Sequence, residues 1–272
     1  MLVAVLVSGP FEDGFLFHMK IAKLLTFVAV TVFLLSALAR HSRAQGTAQP
    51  LNPAELVQRA IAAQGNGWTS GQVKDSTCEG KLTLFGMNGP RISFDTTLSR
   101  KGKQQVQRII KEPAGEIREG SDGNQSWHSV AGRFPAAARG PALRFIESQT
   151  VRSIQTFLNY QDEGLILRDL GSKGTARVVE AEDKSGRRTS YFLDNTSSIV
   201  TRLEFVTGQA QDPFSKRNIP TIESYQFSDF RIIQGLLTPF KIERFFNGIK
   251  TEETVCTSVR YNVSVDDKVF RP

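Results

Sequence analysis

The sequence predicts a mainly β protein built on one large, strongly curved antiparallel sheet, with two or more helices packed against its inner, concave face. Short runs in which apolar and polar residues alternate recur along most of the chain, as in half-buried strands. Turn residues join these runs closely, which favours antiparallel pairing because parallel strands need long crossovers. About ten or eleven strands result, and a sheet of that size has to curl or split. A two-layer β-sandwich is the competing architecture, but it leaves no place for a helix in the middle of the chain.

The first 44 residues are typical of a secretory signal peptide. A basic segment from Met19 to Lys23 precedes an apolar run from Leu24 to Ala39, and Ser42-Arg43-Ala44 resembles a cleavage site. The sixteen apolar residues fall short of the ~20 that span a bilayer, which favours cleavage over an uncleaved membrane anchor. Because acidic residues precede Met19, we expect translation to start there.

The mature chain is then expected to begin at Gln45, with a polar linker to Leu51 and a single domain over residues 52–272. Its 228 residues are enough to bury roughly 70% of the unfolded chain's surface. The net charge is +7, of which the first 44 residues, with four basic and two acidic side chains, hold +2 and the rest +5. This mild excess fits solvated turns, with peripheral contact to an anionic membrane or an acidic partner as the alternative. We expect a periplasmic location and no nucleic-acid partner.

Two cysteines, Cys78 and Cys256, lie on predicted strands far apart in the chain. In an oxidising compartment such a pair favours a disulfide, and two free thiols are the alternative. With His128 as the only histidine after residue 44, the ligand set is too small for a recognisable metal site. We expect neither a metal nor a cofactor.

The first predicted element of the domain is a helix. Asn52 supplies an N-cap oxygen, Pro53 suits the first helical position, and Gly65 with Gly67 ends the helix. A meander of strands follows. The predicted strands are Ser76 to Phe85, Arg91 to Ser99, Gln104 to Lys111, Gly115 to Ser121 and Gln125 to Val130, with Asn88-Gly89-Pro90 as the first turn.

A second helix is predicted from Ile146 to Tyr160, because Val151, Ile154, Phe157 and Leu158 recur at steps of three and four residues. The segment Gly132 to Pro141, rich in Ala, Arg, Gly and Pro, separates it from the meander. The next predicted strands are Thr175 to Glu182, Thr189 to Leu193, Ser198 to Val206 and Thr221 to Arg231, and the polar segment Gly208 to Pro220 is expected to form a mobile rim loop.

The chain ends in a predicted hairpin, Leu236 to Phe246 and Ile249 to Val263, joined by Asn247-Gly248. Both turn residues tolerate the positive φ of a type I′ turn. Alternation places Ile249, Val255, Val259, Tyr261 and Val263 on one face, and Lys250, Glu252, Thr254, Ser258, Arg260 and Asn262 on the other.

The order of these elements resembles the periplasmic lipoprotein-carrier superfamily, LolA and LolB and their relatives. The resemblance rests on the opening helix that ends in Gly, on Asp122-Gly123 followed by Trp127, on the helical interruption, and on an ending with Gly235, Pro239 and Phe270 before the final Pro272. It implies an incomplete β-barrel whose helices cover a hydrophobic cavity. It also implies binding and transport of an acylated molecule.

Side chains that line such a cavity are expected on the second helix and on the last hairpin. A concave apolar face too wide to be filled by its own side chains can bury acyl chains, at about 0.8 kcal/mol per methylene. The charges of Arg244 and Glu253 interrupt otherwise apolar faces and need partners if buried. The candidates for ligand contact are Phe157, Leu158, Phe240, Ile242, Phe246 and Trp127, and for each of them ordinary core packing is the alternative.

The expected function is therefore non-catalytic: a carrier that binds the acyl chains of a lipoprotein or lipid. The alternative is an interaction or sensor module that uses the same fold to bind another envelope protein. The sequence has no Gly-x-Ser-x-Gly elbow, phosphate-binding glycine loop or zinc signature. The carboxylate pairs Glu180 with Glu182 and Glu252 with Glu253 are interpreted as solvated strand charges.

Overall fold

The period-two runs form thirteen strands in the computed structural model, which describes residues 51–69, 71–86, 91–211 and 216–272. The strands are β1 (Asp75–Leu84), β2 (Ile92–Lys101), β3 (Gln105–Glu112), β4 (Gly115–Asp122), β5 (Ser126–Ser129), β6 (Ala136–Ala137), β7 (Ile166–Lys173), β8 (Ala176–Glu182), β9 (Arg188–Asp194), β10 (Val200–Gln211), β11 (Asn218–Ile233), β12 (Leu236–Phe246) and β13 (Ile249–Tyr261).

All thirteen strands pair antiparallel in one sheet, in the order β6-β5-β4-β3-β2-β1-β13-β12-β11-β10-β9-β8-β7. The first six strands form one meander and the last seven form a second one. Pairing of β1 with β13 joins the two. Strands β6 and β7 are the edges, so the sheet is not closed into a barrel. The predicted fold class, a large antiparallel sheet with helices, is confirmed.

The sheet is strongly curved, as one ion pair shows. Strands β3 and β13 are separated by β2 and β1, which in a flat sheet would place them roughly 14 Å apart at about 4.8 Å per strand. Nevertheless Arg108 on β3 donates from Nη1 to Glu252 Oε2 on β13 at 2.9 Å. Side chains converge in this way only on a concave face.

The first helix, α1 (Pro53–Gln64), agrees with its sequence prediction. The Asn52 side chain accepts a hydrogen bond from the backbone N–H of Ala54 at 3.0 Å, and Pro53 occupies the first turn. Gly65, with φ of 100°, ends the helix. Its buried residues pack on β12 and β7, so the helix lies against the sheet.

The second helix is not continuous from Ile146 to Tyr160, and this prediction is wrong. Three helices stand there: α2 (Gly140–Gln149), α3 (Ile154–Leu158) and α4 (Tyr160–Glu163). The first begins inside the segment Gly132 to Pro141, which was expected to separate the helix from the meander, because Pro141 suits the first turn of a helix.

The break between α2 and α3 results from hydroxyl side chains that bond to the backbone. Thr150 leaves the helical conformation at φ of −117° and ψ of −99°, and its Oγ1 donates to the Ile146 carbonyl at 2.8 Å. Thr156 Oγ1 donates to the Thr150 carbonyl at 2.6 Å, and Ser153 Oγ caps α3 by accepting from the Thr156 N–H at 3.1 Å. Such bonds compete with helical hydrogen bonds.

Alternation along β13 also departs from the sequence prediction. The pairing with β1 shifts between Glu79 and Gly80, which leaves Thr257 as the extra residue of a β-bulge. As a result Glu252, Thr254 and Cys256 share the inner face with Val259 and Tyr261, whereas Val255 is 36% exposed on the outer face. Backbone contact is close at the bulge, since a Cβ on Gly80 would lie 2.1 Å from the Val255 carbonyl oxygen.

The rim loop predicted from Gly208 to Pro220 is mostly strand. Residues 208–211 continue β10 and residues 218–220 begin β11, with Gln211 paired to Asn218. The edge strand β7 was not predicted. The expected signal peptide, the linker up to residue 50, the turn Asn88-Gly89-Pro90 and residues 212–215 lie outside the described residues.

The main hydrophobic core lies between α1, α3 and strands β8 to β11. Phe157 and Tyr191 stack at its centre with ring centroids 4.1 Å apart. The turn Asn247-Gly248 has φ of 49° and 77°, as the hairpin prediction requires. Within the described ranges, no helix has the length and apolar character needed to cross a membrane.

Candidate functional site

The inner face of the sheet and the helices enclose a cavity. Strands β1, β2, β3, β11, β12 and β13 form its floor, and α2, α3 and the turn at Asn66–Trp68 cover it. Its volume is about 120 Å³ for the centre of a water-sized sphere, and about 1160 Å³ as atom-free space with the open mouth included. Its apolar lining consists of Trp68, Leu98, Phe145, Ile154, Phe227, Pro239, Ile242 and Val259.

A chain of alternating charges crosses one part of this lining. Glu223, which has no exposed surface, accepts from Arg144 Nε at 2.5 Å and from Arg244 Nε at 2.8 Å. Arg244 Nη1 then donates to Glu252 Oε1 at 2.6 Å. Glu252 also pairs with Arg108, and Arg108 pairs with Glu119. Three guanidiniums therefore alternate with three carboxylates, so each buried charge has the partner that burial requires.

Burial and neighbouring charges shift the pKa values of the side chains in this network of ion pairs. Burial raises the pKa of Glu119 and outweighs the attraction of Arg108. For Glu252 burial acts in the same direction, but Arg108 and Arg244 together hold its pKa below the usual value. Burial would lower the pKa of Arg244, yet Tyr225, Glu252 and Glu223 raise it. The pKa of Arg108 is raised as well, so Arg108 and Arg244 are charged and have their counter-charges inside the protein.

Arg100 differs from these arginines. It is partly buried on the cavity face of β2, one residue before the strand ends, and lines the cavity with Thr96 and Leu98. Across the described ranges no carboxylate, carbonyl or aromatic ring pairs with its guanidinium. Burial lowers the pKa of Arg100 to about 10, and nearby Tyr261 only partly opposes this.

Three other donors in the lining have no hydrogen-bond partner among the described residues: Trp68 Nε1, Arg108 Nε and the Thr77 hydroxyl. The Trp68 ring packs edge-on against Tyr261 with centroids 5.6 Å apart. Arg108 lies over the Phe145 ring, with Cζ 3.7 Å from the centroid. The cavity therefore has free hydrogen-bond donors in addition to its apolar surface.

The six residues predicted to contact a ligand are not all in one place. Ile242 lines the cavity. Phe157 and Leu158 are buried in the main core, and Phe240 packs against Cys78 and Cys256. None of these three is part of the cavity lining.

The other two candidates have structural contacts as well. Phe246 lies beneath the Arg144 guanidinium, with Cζ 5.6 Å from the ring centroid. Trp127 is buried and donates from Nε1 to the Phe270 carbonyl at 2.9 Å, which fixes the C-terminal turn to the meander. A ligand contact stays a prediction for all six residues, with Ile242 the one placed to make it.

Cys78 and Cys256 form a disulfide in the structure, with Cα atoms 5.9 Å apart. Both cysteines line the cavity, and the bond links β1 to β13, where the two meanders meet. It therefore bridges residues 178 positions apart in sequence.

Sequence reasoning noticed the charge of Arg244 but placed Glu252 on the wrong face and did not single out Arg100, Arg108 or Glu223. Arg244 and Glu223 each interrupt an alternating apolar strand, and this is a signal that sequence alone carries. Arg100 gives no such signal, because arginine before a Lys-Gly turn is common on surfaces.

Glu253, the other charge noted from sequence, lies on the outer face. Lys241 Nζ stands 3.1 Å from its Oε2, and Lys250 also pairs with it. It therefore does not interrupt the cavity surface.

No family model and no curated protein matches the sequence. Solved structures do match. A LolA superfamily protein from Nitrosomonas europaea is 12% identical, with a TM-score of 0.53 over 82% of this chain and 98% of that one. A domain described as an outer membrane lipoprotein-sorting protein from Vibrio parahaemolyticus is 14% identical, with a TM-score of 0.51 over 80% and 95%.

A DUF1329 family protein from Desulfovibrio piger is 12% identical, with a TM-score of 0.55 over 81% of this chain and 98% of that one. At such identities the likeness concerns the fold. The chain therefore has the fold of the LolA superfamily, in agreement with the resemblance carried by its sequence.

Proposed function

We propose that this protein is an exported, non-catalytic carrier that binds the acyl chains of a lipid or lipoprotein in the cell envelope. The observation that carries the proposal is the cavity between the inner face of the sheet and the helices. The names of two structural neighbours, a LolA superfamily protein and a lipoprotein-sorting domain, support the same function.

The lining fits an acyl chain better than a rigid polar metabolite. Leu98, Ile242 and Val259 stand on three different strands of the floor, and Phe145 and Ile154 lie on the helices above. Each methylene moved from water into such surroundings contributes about 0.8 kcal/mol. Because the helices over the cavity are short and interrupted at Thr150, they are the elements that would yield to a longer chain.

The test is native mass spectrometry of protein expressed from the full chain and released from the cell envelope without detergent, followed by lipid extraction. We expect a bound acylated species that organic solvent removes. Protein that is consistently free of lipid, and that also takes up no fluorescent fatty acid, would overturn the proposal. The same spectra report the N-terminal residue and so test the expected cleavage after Ala44.

A second candidate function is an interaction module for another envelope protein. It is favoured by the edge strand β7, which within the described ranges pairs only with β8 and exposes Ile166 and Leu170 at 60% and 45%. An open edge with apolar side chains is a surface to which another chain can add a strand. Crosslinking in cells distinguishes the two, since one stable protein partner at β7 and no bound lipid would favour this function.

A further inference from the structure

Arg100 is the cation of the cavity lining that has no ion-pair partner among the described residues. A charge removed from water is costly unless an opposite charge or several hydrogen bonds replace its hydration. Carboxylates replace the hydration of Arg108 and Arg244. Among the described residues nothing does so for Arg100, although it shares the cavity face with them.

The sheet register shows what surrounds Arg100. Tyr261 on β13 pairs with Ser76 on β1, and Ser76 pairs with Arg100 on β2, so these three side chains form one row across the cavity floor. Trp68 packs against the Tyr261 ring at one end of this row, and its Nε1–H has no partner among the described groups. The row therefore offers hydrogen-bond donors to a ligand. The Tyr261 hydroxyl is already engaged, because it forms a hydrogen bond with Thr238 Oγ1 at 2.8 Å.

The next row along the strands is apolar. Val259, Cys78 and Leu98 follow Tyr261, Ser76 and Arg100 toward the middle of β13, β1 and β2. Arg100 lies one residue from the end of its strand, beside the exposed turn at Gly102. A ligand that follows the strands would thus have a polar group near the rim and an apolar part in the interior.

We propose that Arg100 binds the oxyanion head group, a carboxylate or a phosphate, of an amphiphile whose apolar chain lies in the cavity. Trp68 Nε1–H and the Ser76 hydroxyl are the neighbouring donors that can complete the site. This inference rests on the proposed acyl-chain function and adds to it the chemistry of the ligand's head. Arg244 does not serve this role, because Glu223 and Glu252 already occupy its guanidinium.

The test compares probes that share one fluorescent acyl chain and differ only in the head: the fatty acid, its methyl ester, and the lysophosphatidylglycerol with that single chain. We expect the protein to bind at least one anionic probe about tenfold or more tightly than the ester, since hydrogen bonds to a charged group are stronger than neutral ones. Preference for the acid over the phospholipid would identify a carboxylate, and the reverse a phosphate.

The deciding variant is Arg100→Gln, which should lose the preference for anions and keep the affinity for the ester. Arg100→Lys retains the charge and should keep part of the preference. The control is Arg260→Gln, which changes an exposed arginine paired with Glu79 on β1 and should change no affinity.

The outcomes separate the two proposals. Equal binding of acid, phospholipid and ester by the unaltered protein, or an anion preference that survives Arg100→Gln, overturns the head-group site and leaves the carrier function standing. Failure of every probe, the ester included, overturns the head-group site, and together with protein free of lipid in the native mass spectra it overturns the carrier function as well. Urea unfolding without ligand excludes a purely structural role, because removing an unpaired charge should not lower the stability.

Discussion

Arg244 Nε donates to Glu223 Oε1 at 2.8 Å across β12 and β11. Glu223 is fully buried and accepts from Arg144 on α2 and from the Tyr225 hydroxyl at 2.7 Å as well. One carboxylate thus joins two strands to the helix above the cavity. Arg244 Nη2 reinforces the link by donating to the Pro141 carbonyl at 3.1 Å.

Glu223→Gln should destabilise the protein strongly. The amide cannot neutralise Arg144 and Arg244, and breaking a buried pair on one side costs about 3–5 kcal/mol. The free energy of unfolding in urea measures this. Glu79→Gln is the matched control, because Glu79 pairs with Arg260 on an exposed part of the sheet and such pairs contribute about 0–1 kcal/mol. Equal effects of the two variants would contradict the interpretation.

Glu252 should make stability depend on pH in the acid range. Its folded-state pKa lies below the ordinary 4.5, because Arg108 and Arg244 together outweigh burial. The unfolded chain then takes up this proton first as pH falls, so the stabilisation is complete above 4.5 and is lost below it.

The measurement for Glu252 is the difference in free energy of unfolding between the wild type and Glu252→Gln. We expect this difference to be largest near neutral pH and to shrink with acidification below 4.5. A difference that grows as the pH falls would show that folding raises the pKa of Glu252 and does not lower it.

The Cys78–Cys256 disulfide should stabilise the protein measurably. It links residues 178 positions apart, and loss of a native disulfide typically costs about 2–5 kcal/mol. A reductant should therefore lower the urea midpoint of the wild type and have no effect on Cys78→Ala/Cys256→Ala. Thiol alkylation before reduction, followed by mass measurement, detects the alternative of two free thiols.

Ile242→Trp should block ligand uptake by filling the cavity. If the indole displaces two buried methylenes of an acyl chain, at about 0.8 kcal/mol each, affinity falls roughly tenfold or more. Val255→Trp is the control, because Val255 lies on the outer face of the neighbouring strand. Titration with a fluorescent fatty acid measures the affinity of both variants. An equal loss of affinity would show that the acyl chain binds outside this cavity.

Local chemistry accounts for the elements that the sequence predicted well. The helix from Pro53 has its cap Asn52 directly before the first-turn proline, and Gly65 directly after its last residue. The hairpin turn at Asn247-Gly248 depends only on two residues that tolerate positive φ. Such features do not need the rest of the fold, so periodicity and turn residues were sufficient.

Predictions failed where a contact that residue periodicity does not encode decided the outcome. The bulge at Thr257 depends on how β13 pairs with Glu79 and Gly80 on β1, and no local sequence pattern predicts it. The break after Gln149 depends on which acceptors the Thr150 and Thr156 hydroxyls find once the helices pack.

The sequence by itself determined that this is a curved antiparallel sheet with helices and a likeness to lipoprotein carriers, because strand alternation, caps and turn residues act over a few positions. Only the tertiary structure decided which charges have partners. Arg108 and Glu252 are brought together by curvature, and Arg100 faces the cavity without a partner in the described part of the chain. Charge pairing across a concave face depends on distances between strands, which one-dimensional spacing does not contain.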